Sequence, residues 1–223
     1  MSSPRRIGRP RRQPQSASED PMADIMSAAS ALFGDHGVTG TTMAQIAAAA
    51  GLQQSSLYYY FRSKDDVLAA ILAAANVIPL ELVRQVTSDP GPAAVSLYRF
   101  VRGDVVALCV LPFDINEVHR FAARDRERFA AYWKERRTLQ ARLAAIVRDG
   151  IAVGQFRDVN TRLAAITVMS NDEAVQNWYR HDSRPVRDPK AIGTSIADLT
   201  VAGLLVDPAD LDATRRAADD LDG

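Results

Sequence analysis

Residues 53–59 set Gln53, Gln54, Ser55, Ser56, Tyr58 and Tyr59 in close succession. A glutamine amide can bond adenine bidentately, a serine hydroxyl suits several base edges, and a tyrosine hydroxyl reaches phosphate oxygens. A second group lies near the start: Arg5, Arg6, Arg9, Arg11 and Arg12, with no acid among the first twelve residues. Such a block marks a mobile arm that meets an anionic partner, with a solubilising tail as the plainer alternative. Ile7-Gly8-Arg9-Pro10-Arg11-Arg12 has a Gly-Arg-Pro core of the kind that lies along A·T-rich minor grooves. Arginine enters there because the narrow groove concentrates negative potential. Both groups suit contact with double-stranded DNA.

The residues that could support catalysis do not assemble in the same way. His36, His119 and His181 are far apart, and Glu117 and His119, two positions apart, point away from each other on a helix. No Glu-x-x-His pair, P-loop or Gly-x-Ser-x-Gly occurs. Cys109, the one cysteine, excludes an intrachain disulfide and a thiolate metal cluster. Its setting, Val-Val-Ala-Leu-Cys-Val-Leu, keeps a thiol inert. Neither an enzyme nor a bound metal or cofactor is expected.

The elements that must position the DNA-contacting groups read as helices throughout. Of 223 residues 47% are hydrophobic and 24% charged, with 27 bases against 27 acids, enough for one large domain or two small ones. Apolar residues recur at three and four and no long run alternates, which predicts an all-α fold. No run of about eighteen apolar residues suggests a membrane span, and the Arg-rich start lacks the apolar stretch of a secretory signal; a cytoplasmic setting is expected.

Residues 1–17 are predicted to be a disordered basic arm. Asp20 and Pro21 supply an N-cap and first helical position, and Ile25, Ala28, Ala29, Leu32 and Phe33 form a stripe that Gly34 and Gly37 stop. Thr42 and Gln45 have capping-box spacing for a short helix over 42–49. A turn at Ala50-Gly51-Leu52 leads to a second, over 53–60, giving helix-turn-helix dimensions. Ile46, Ala47, Leu52, Leu57, Tyr60 and Phe61 are expected to face inward; three consecutive tyrosines cannot all do so. Ser63 to Asp66 repeats the capping pattern and opens a longer helix that Pro79 must bend or end. Further helices are predicted over 91–111, 116–124, 126–153, 160–178 and 189–205, with the last sixteen residues a weak helix or frayed. The domains expected are 18–70, 71–206 and an acidic tail over 207–223.

The string GVTGTTMAQIAAAAGLQQSSLYYYFRSKDDVL, residues 37–68, resembles the N-terminal domain of the TetR family of bacterial transcriptional regulators. The matching features are the glycine-ended first helix, Thr41-Thr42, Ile46-Ala47, Ala50-Gly51, Leu57-Tyr58, Tyr60-Phe61 and Ser63-Lys64 before two acids. The likeness is specific over about residues 22–70. It implies a three-helix DNA-binding domain followed by a larger helical domain for ligand binding and dimerisation. Residue by residue, it implies phosphate contacts for Thr42, Tyr58 and Lys64, and recognition positions for Gln53, Gln54, Ser55 and Tyr59. Position 54 is often lysine in the family. Gln54 removes that charge from an already acidic domain, so the arm must supply more of the attraction.

The resemblance further implies a homodimer through about residues 160–179 and 189–206, and a cavity for a small, largely apolar effector that releases operator DNA. Candidate lining residues are Tyr98, Cys109, Phe113, His119, Phe121, Trp133, Met169 and Trp178, with ordinary core the plainer reading of any one of them. Polar residues on apolar helices, Asn116, Glu117, His119, Asn171, Asp172 and Glu173 among them, must be satisfied or meet a ligand. The basic run from Arg120 to Arg137 reads as a solvated helix face, with an anchor for a phosphorylated ligand such as an acyl-CoA as the alternative. The function expected is a ligand-responsive repressor. The alternative is a helical ligand- or protein-binding module without sequence-specific DNA binding.

Overall fold

The computed structural model of the chain describes residues 20–88, 91–111, 113–179 and 188–222. Helix α1 is Pro21–Gly40, α2 Met43–Ala49, α3 Gln54–Tyr60, α4 Lys64–Ser88 and α5 Ala93–Val110. Then follow α6 (Ile115–Ala122), α7 (Ala130–Ala152), α8 (Thr161–Glu173), α9 (Pro189–Ala202) and α10 (Leu211–Asp222). Among the described residues there is no β-strand beyond an isolated bridge between Phe156 and Leu205.

Local chemistry explains the helix starts. The Asp20 carboxylate accepts from the Ala23 amide at 3.0 Å, with Pro21 just inside the helix. The Thr42 hydroxyl accepts from the Gln45 amide at 3.2 Å, and the Gln45 side chain accepts from the Thr42 amide at 2.8 Å. Each such cap contributes about 1 kcal/mol. Gly51, at φ 70°, makes the turn between α2 and α3, where a side chain would be strained. Helix α1 passes through Gly34 and breaks at Gly37.

Of the two outcomes open to Pro79, ending the helix is excluded: α4 continues to Ser88, because Val83 and Val86 on the far side are buried and hold the last turns to the core. Two boundaries differ from expectation. Helix α7 begins at Ala130, since Asp125 first closes a turn by accepting from the Arg128 amide at 3.0 Å. The helix from Asn160 changes to a 3-10 turn over Ala174–Asn177.

Helices α1 to α3 pack around Ile25, Ile46 and Leu57, all fully buried, and α1 leans on α4. Helix α4 is long and apolar enough to cross a membrane, but its neighbours are α1, α5, α6 and α7, as befits a core helix. The most extensive packing in the body joins α5 and α9. Gly193 permits it: a Cβ there would stand 2.7 Å from the Arg102 carbonyl oxygen. The segment expected as an acidic tail forms α10, docked on α5. Arg102 reaches Asp219 and Asp222, each at 2.5 Å, and Arg99 reaches Asp222 at 2.7 Å.

Candidate nucleic-acid interface and effector region

Helix α3 is anchored on one side and open on the other. Leu57 and the following Phe61 are buried in the core, with α3 packed on α2, at a gain of roughly 1.5–3 kcal/mol for each side chain. That orientation leaves Gln53, Gln54, Ser55 and Ser56 exposed, with Tyr59 85% and Tyr58 47% exposed. Tyr59 is the surface aromatic that the tyrosine triplet required. Its ring meets Tyr60 edge-on at 5.2 Å. Tyr60, expected to face inward, is 37% exposed, because one buried anchor on a two-turn helix turns its neighbours sideways.

Thr42 is exposed beside this face and caps α2. Lys64 is placed differently from a free phosphate clamp. Its ammonium donates to the carbonyl oxygens of Val38 (2.6 Å) and Thr41 (2.5 Å), with that of Thr39 at 3.5 Å. A cation there complements the end of α1. Thr41, beside it, is fully buried and its hydroxyl donates to the Gly37 carbonyl at 2.8 Å. Arg5, Arg6, Arg9, Arg11 and Arg12 lie outside the described residues.

The eight residues expected to line one ligand cavity do not converge. Tyr98 is fully buried but faces α9 and α10, donating to Asp198 at 2.8 Å. Phe121 packs on Phe33 and Phe129, at 6.1 and 6.3 Å between ring centres, under the DNA-binding domain. Trp178 is half exposed at the end of the 3-10 turn. Cys109 and Phe113 line an open cleft of about 460 Å³ between α1, α5 and α6, with Glu117 and Gln176 among its polar walls. Burial pushes the Cys109 thiol up to about 11, in keeping with an inert thiol.

The His119 and Trp133 rings stack at 6.4 Å between centres, and Trp133 shares a pocket wall with Met169, beside a polar system inside the body. Glu173 receives Arg136 Nη1 at 2.5 Å and lies 3.0 Å from His119 Nε2, while the Tyr132 hydroxyl bonds His119 Nδ1. Burial acts to raise the Glu173 carboxyl, but the His119 hydrogen bond and the Arg136 charge outweigh it and hold it below its ordinary range. Two further acids are fully enclosed. Burial, then the charge of Glu173, lift Asp104 to about 7 against the opposing pull of Arg136. Asp172 is raised well above the usual range by burial, Asp104 and Glu173, and among the described residues neither of its carboxyl oxygens has a hydrogen-bond partner. Asp104 and Glu173 border a small inner cavity of about 20 Å³ between α4, α5, α7 and α8. Sequence reading passed over Asp104, although a lone acid within the apolar α5 was the available signal.

Residues 25–71 match the family described as bacterial regulatory proteins, tetR family, and residues 116–204 match the tetracyclin repressor-like C-terminal domain. Among solved structures, AmtR of Mycobacterium smegmatis is 31% identical, with 92% of this chain and 95% of that one covered and a TM-score of 0.67. The ketosteroid transcriptional regulator KstR2 of Mycobacterium tuberculosis is 19% identical over 85% of this chain and 97% of that one, at 0.71. AibR in complex with isovaleryl coenzyme A and operator DNA is 22% identical over 83% and 98%, at 0.66. No curated protein matches.

Proposed function

This chain belongs to the TetR family of bacterial transcriptional regulators, and from that we propose that it is a cytoplasmic repressor that binds operator DNA as a homodimer and leaves it when a small, largely apolar effector enters the C-terminal body. Members of the family are transcription factors with a ligand-binding domain, not enzymes.

The observation that carries the DNA reading is α3 itself. Its buried anchor Leu57 points Gln53, Gln54, Ser55 and Tyr59 outward together, as a helix entering a major groove requires. Thr42 and Tyr58 flank this face and are proposed to meet phosphates. Lys64 is proposed to act on the start of α4 from its carbonyl cradle, so its charge reaches DNA less directly. The five arm arginines supply the remaining attraction.

Two identical recognition helices must reach half-sites one turn apart, which calls for two-fold pairing. Helices α8 and α9 offer a surface for it: Leu163 is 62% and Leu199 79% exposed, across a groove of about 360 Å³ between the two helices. The effector is proposed to act through the region of His119, Trp133 and Met169. Helix α6, which carries His119, packs on both α1 and α4, so a change around Glu173 is felt at the DNA-binding domain. Swinging a population from 1:99 to 99:1 takes about 10⁴-fold differential affinity.

The test is fluorescence anisotropy of the protein against DNA from its own upstream region and against scrambled DNA, with salt varied. The expected result is selective binding with log K falling roughly 0.9 per neutralised phosphate against log salt. Removing residues 1–12 should reduce affinity and slope together. A binding module that does not read DNA would be indifferent to that removal.

A further inference from the structure

The facing sides of α7 and α8 carry a feature that DNA reading does not use. Trp133, Arg136, Arg137 and Gln140 lie on one face of α7, opposite Arg162, Ile166 and Met169 of α8. With Arg126 they enclose a pocket of about 310 Å³ that has four arginines in its wall and no acid. The Arg126 guanidinium sits over the Trp133 ring at 4.6 Å, which fixes it toward the pocket. Arg137 and Arg162 form no ion pair among the described residues, whereas the nearby Arg120, Arg128 and Arg136 pair with Glu117, Asp65 and Glu173. Unpaired like charges gathered on a concave surface repel one another, and an anion between them relieves that cost.

The pocket also adjoins the inner cavity. Arg136 and Met169 border both it and the inner cavity, whose other walls include Leu108, Ile115 and Leu139. Methionine is unbranched and adaptable, suited to a movable partition.

We propose that the arginine pocket between α7 and α8 holds the phosphorylated head of the effector, whose apolar tail lies against Trp133, Ile166 and Met169. This rests on the effector reading given above and amends its chemistry: an apolar tail that carries a phosphate head. Planar guanidinium groups match phosphate oxygens bidentately, and several of them favour more than one phosphate charge. An anion drawing on Arg136 competes with Glu173, which also holds His119 on α6, and so reaches the DNA-binding domain.

Calorimetric titration of the full chain with octyl phosphate, octanoate, octanol and inorganic pyrophosphate tests this. Each is added to wild type, to an Arg137→Ala/Arg162→Ala double variant, and to Arg148→Ala, an exposed α7 arginine outside the pocket. Both altered arginines in the double variant are exposed and form no ion pair among the described residues, so the fold should persist. Octyl phosphate should bind at least about tenfold more tightly than octanol or octanoate, and the double variant should lose that advantage while Arg148→Ala keeps it. Unchanged octyl phosphate affinity in the double variant overturns the proposal. So does a double variant that becomes monomeric, or one that loses operator affinity without ligand, since the arginines would then serve the protomer interface or DNA. If octyl phosphate binds through the arginines but leaves operator binding unaltered, the anion site stands and the effector reading falls.

Discussion

The Lys64 ammonium lies 2.6 Å from the carbonyl oxygen of Val38, so the first residue of α4 closes the end of α1 across 26 positions of sequence. The bond ties the helix that leads into the body to the helix on which the recognition unit rests. Hydrogen bonds to a charged group contribute about 1.5–3 kcal/mol. Lys64→Met should therefore lower the melting temperature and weaken operator binding together. If operator affinity falls while the melting temperature holds, Lys64 contacts phosphate directly.

The buried Asp104 predicts a pH dependence with a definite sign. Its folded pKa of about 7 lies above the ordinary 3.8, so the native state holds more protons than the unfolded chain between those values. Its contribution to stability is fully present below about pH 4 and is lost as pH rises through about 7. Asp104→Asn keeps the shape of the neutral acid. It should stabilise the protein relative to wild type by more than ~1 kcal/mol near pH 8 and by much less near pH 5. Denaturant titrations at the two pH values check this; an equal shift at both would show that Asp104 does not titrate as described.

Leu199 is 79% exposed and Leu163 62%, so replacing them costs the single protomer little. A Leu163→Glu/Leu199→Glu variant should sediment as a folded monomer and lose at least about tenfold in operator affinity. A dimer that survives both changes would place the pairing surface elsewhere.

Helix α10 is held to α5 by Arg102 and Arg99, 15% exposed, reaching Asp219 and Asp222, which are 58% and 40% exposed. Pairs this open to solvent are weak, roughly 0–1 kcal/mol each. Arg102→Ala should cost about 1 kcal/mol, chiefly through lost packing of its stem and its cation–π contact with Tyr98, and the loss should shrink only slightly in high salt. Chemical denaturation at two salt concentrations measures it. A loss that vanishes in high salt would instead assign the effect to the ion pairs.

What could be read in the chain before its structure was known follows the range of the interactions. Asp20 with Pro21, Thr42 with Gln45, and the turn at Gly51 act within four residues, and each falls where the residue types place it. The outward face of α3 was legible in part: Leu57 turns inward as expected, whereas Tyr60, expected beside it, is 37% exposed. Contacts between distant segments were not. Nothing near Lys64 announces the Val38 and Thr41 carbonyls, and nothing near Asp219 announces Arg102. Aromatic residues likewise signal burial without saying against what: Tyr98 serves the α9–α10 corner and Phe121 the seam below α1, so an inventory of large side chains did not define a cavity. Asp104 escaped for the opposite reason, since its chemistry arises from enclosure; Asp172 stood out as a polar residue on an apolar helix, but its lack of a partner could not be read from the chain.

The most direct test of the central claim is anisotropy of a Gln53→Ala/Gln54→Ala variant on operator and on scrambled DNA. Both side chains are exposed, so the fold should be unaffected. If α3 reads bases, the variant loses at least about tenfold on operator DNA while its weak, salt-dependent binding to scrambled DNA is unchanged. Equal affinities of wild type and variant for the operator would contradict the account and leave α3 without the reading role assigned to it.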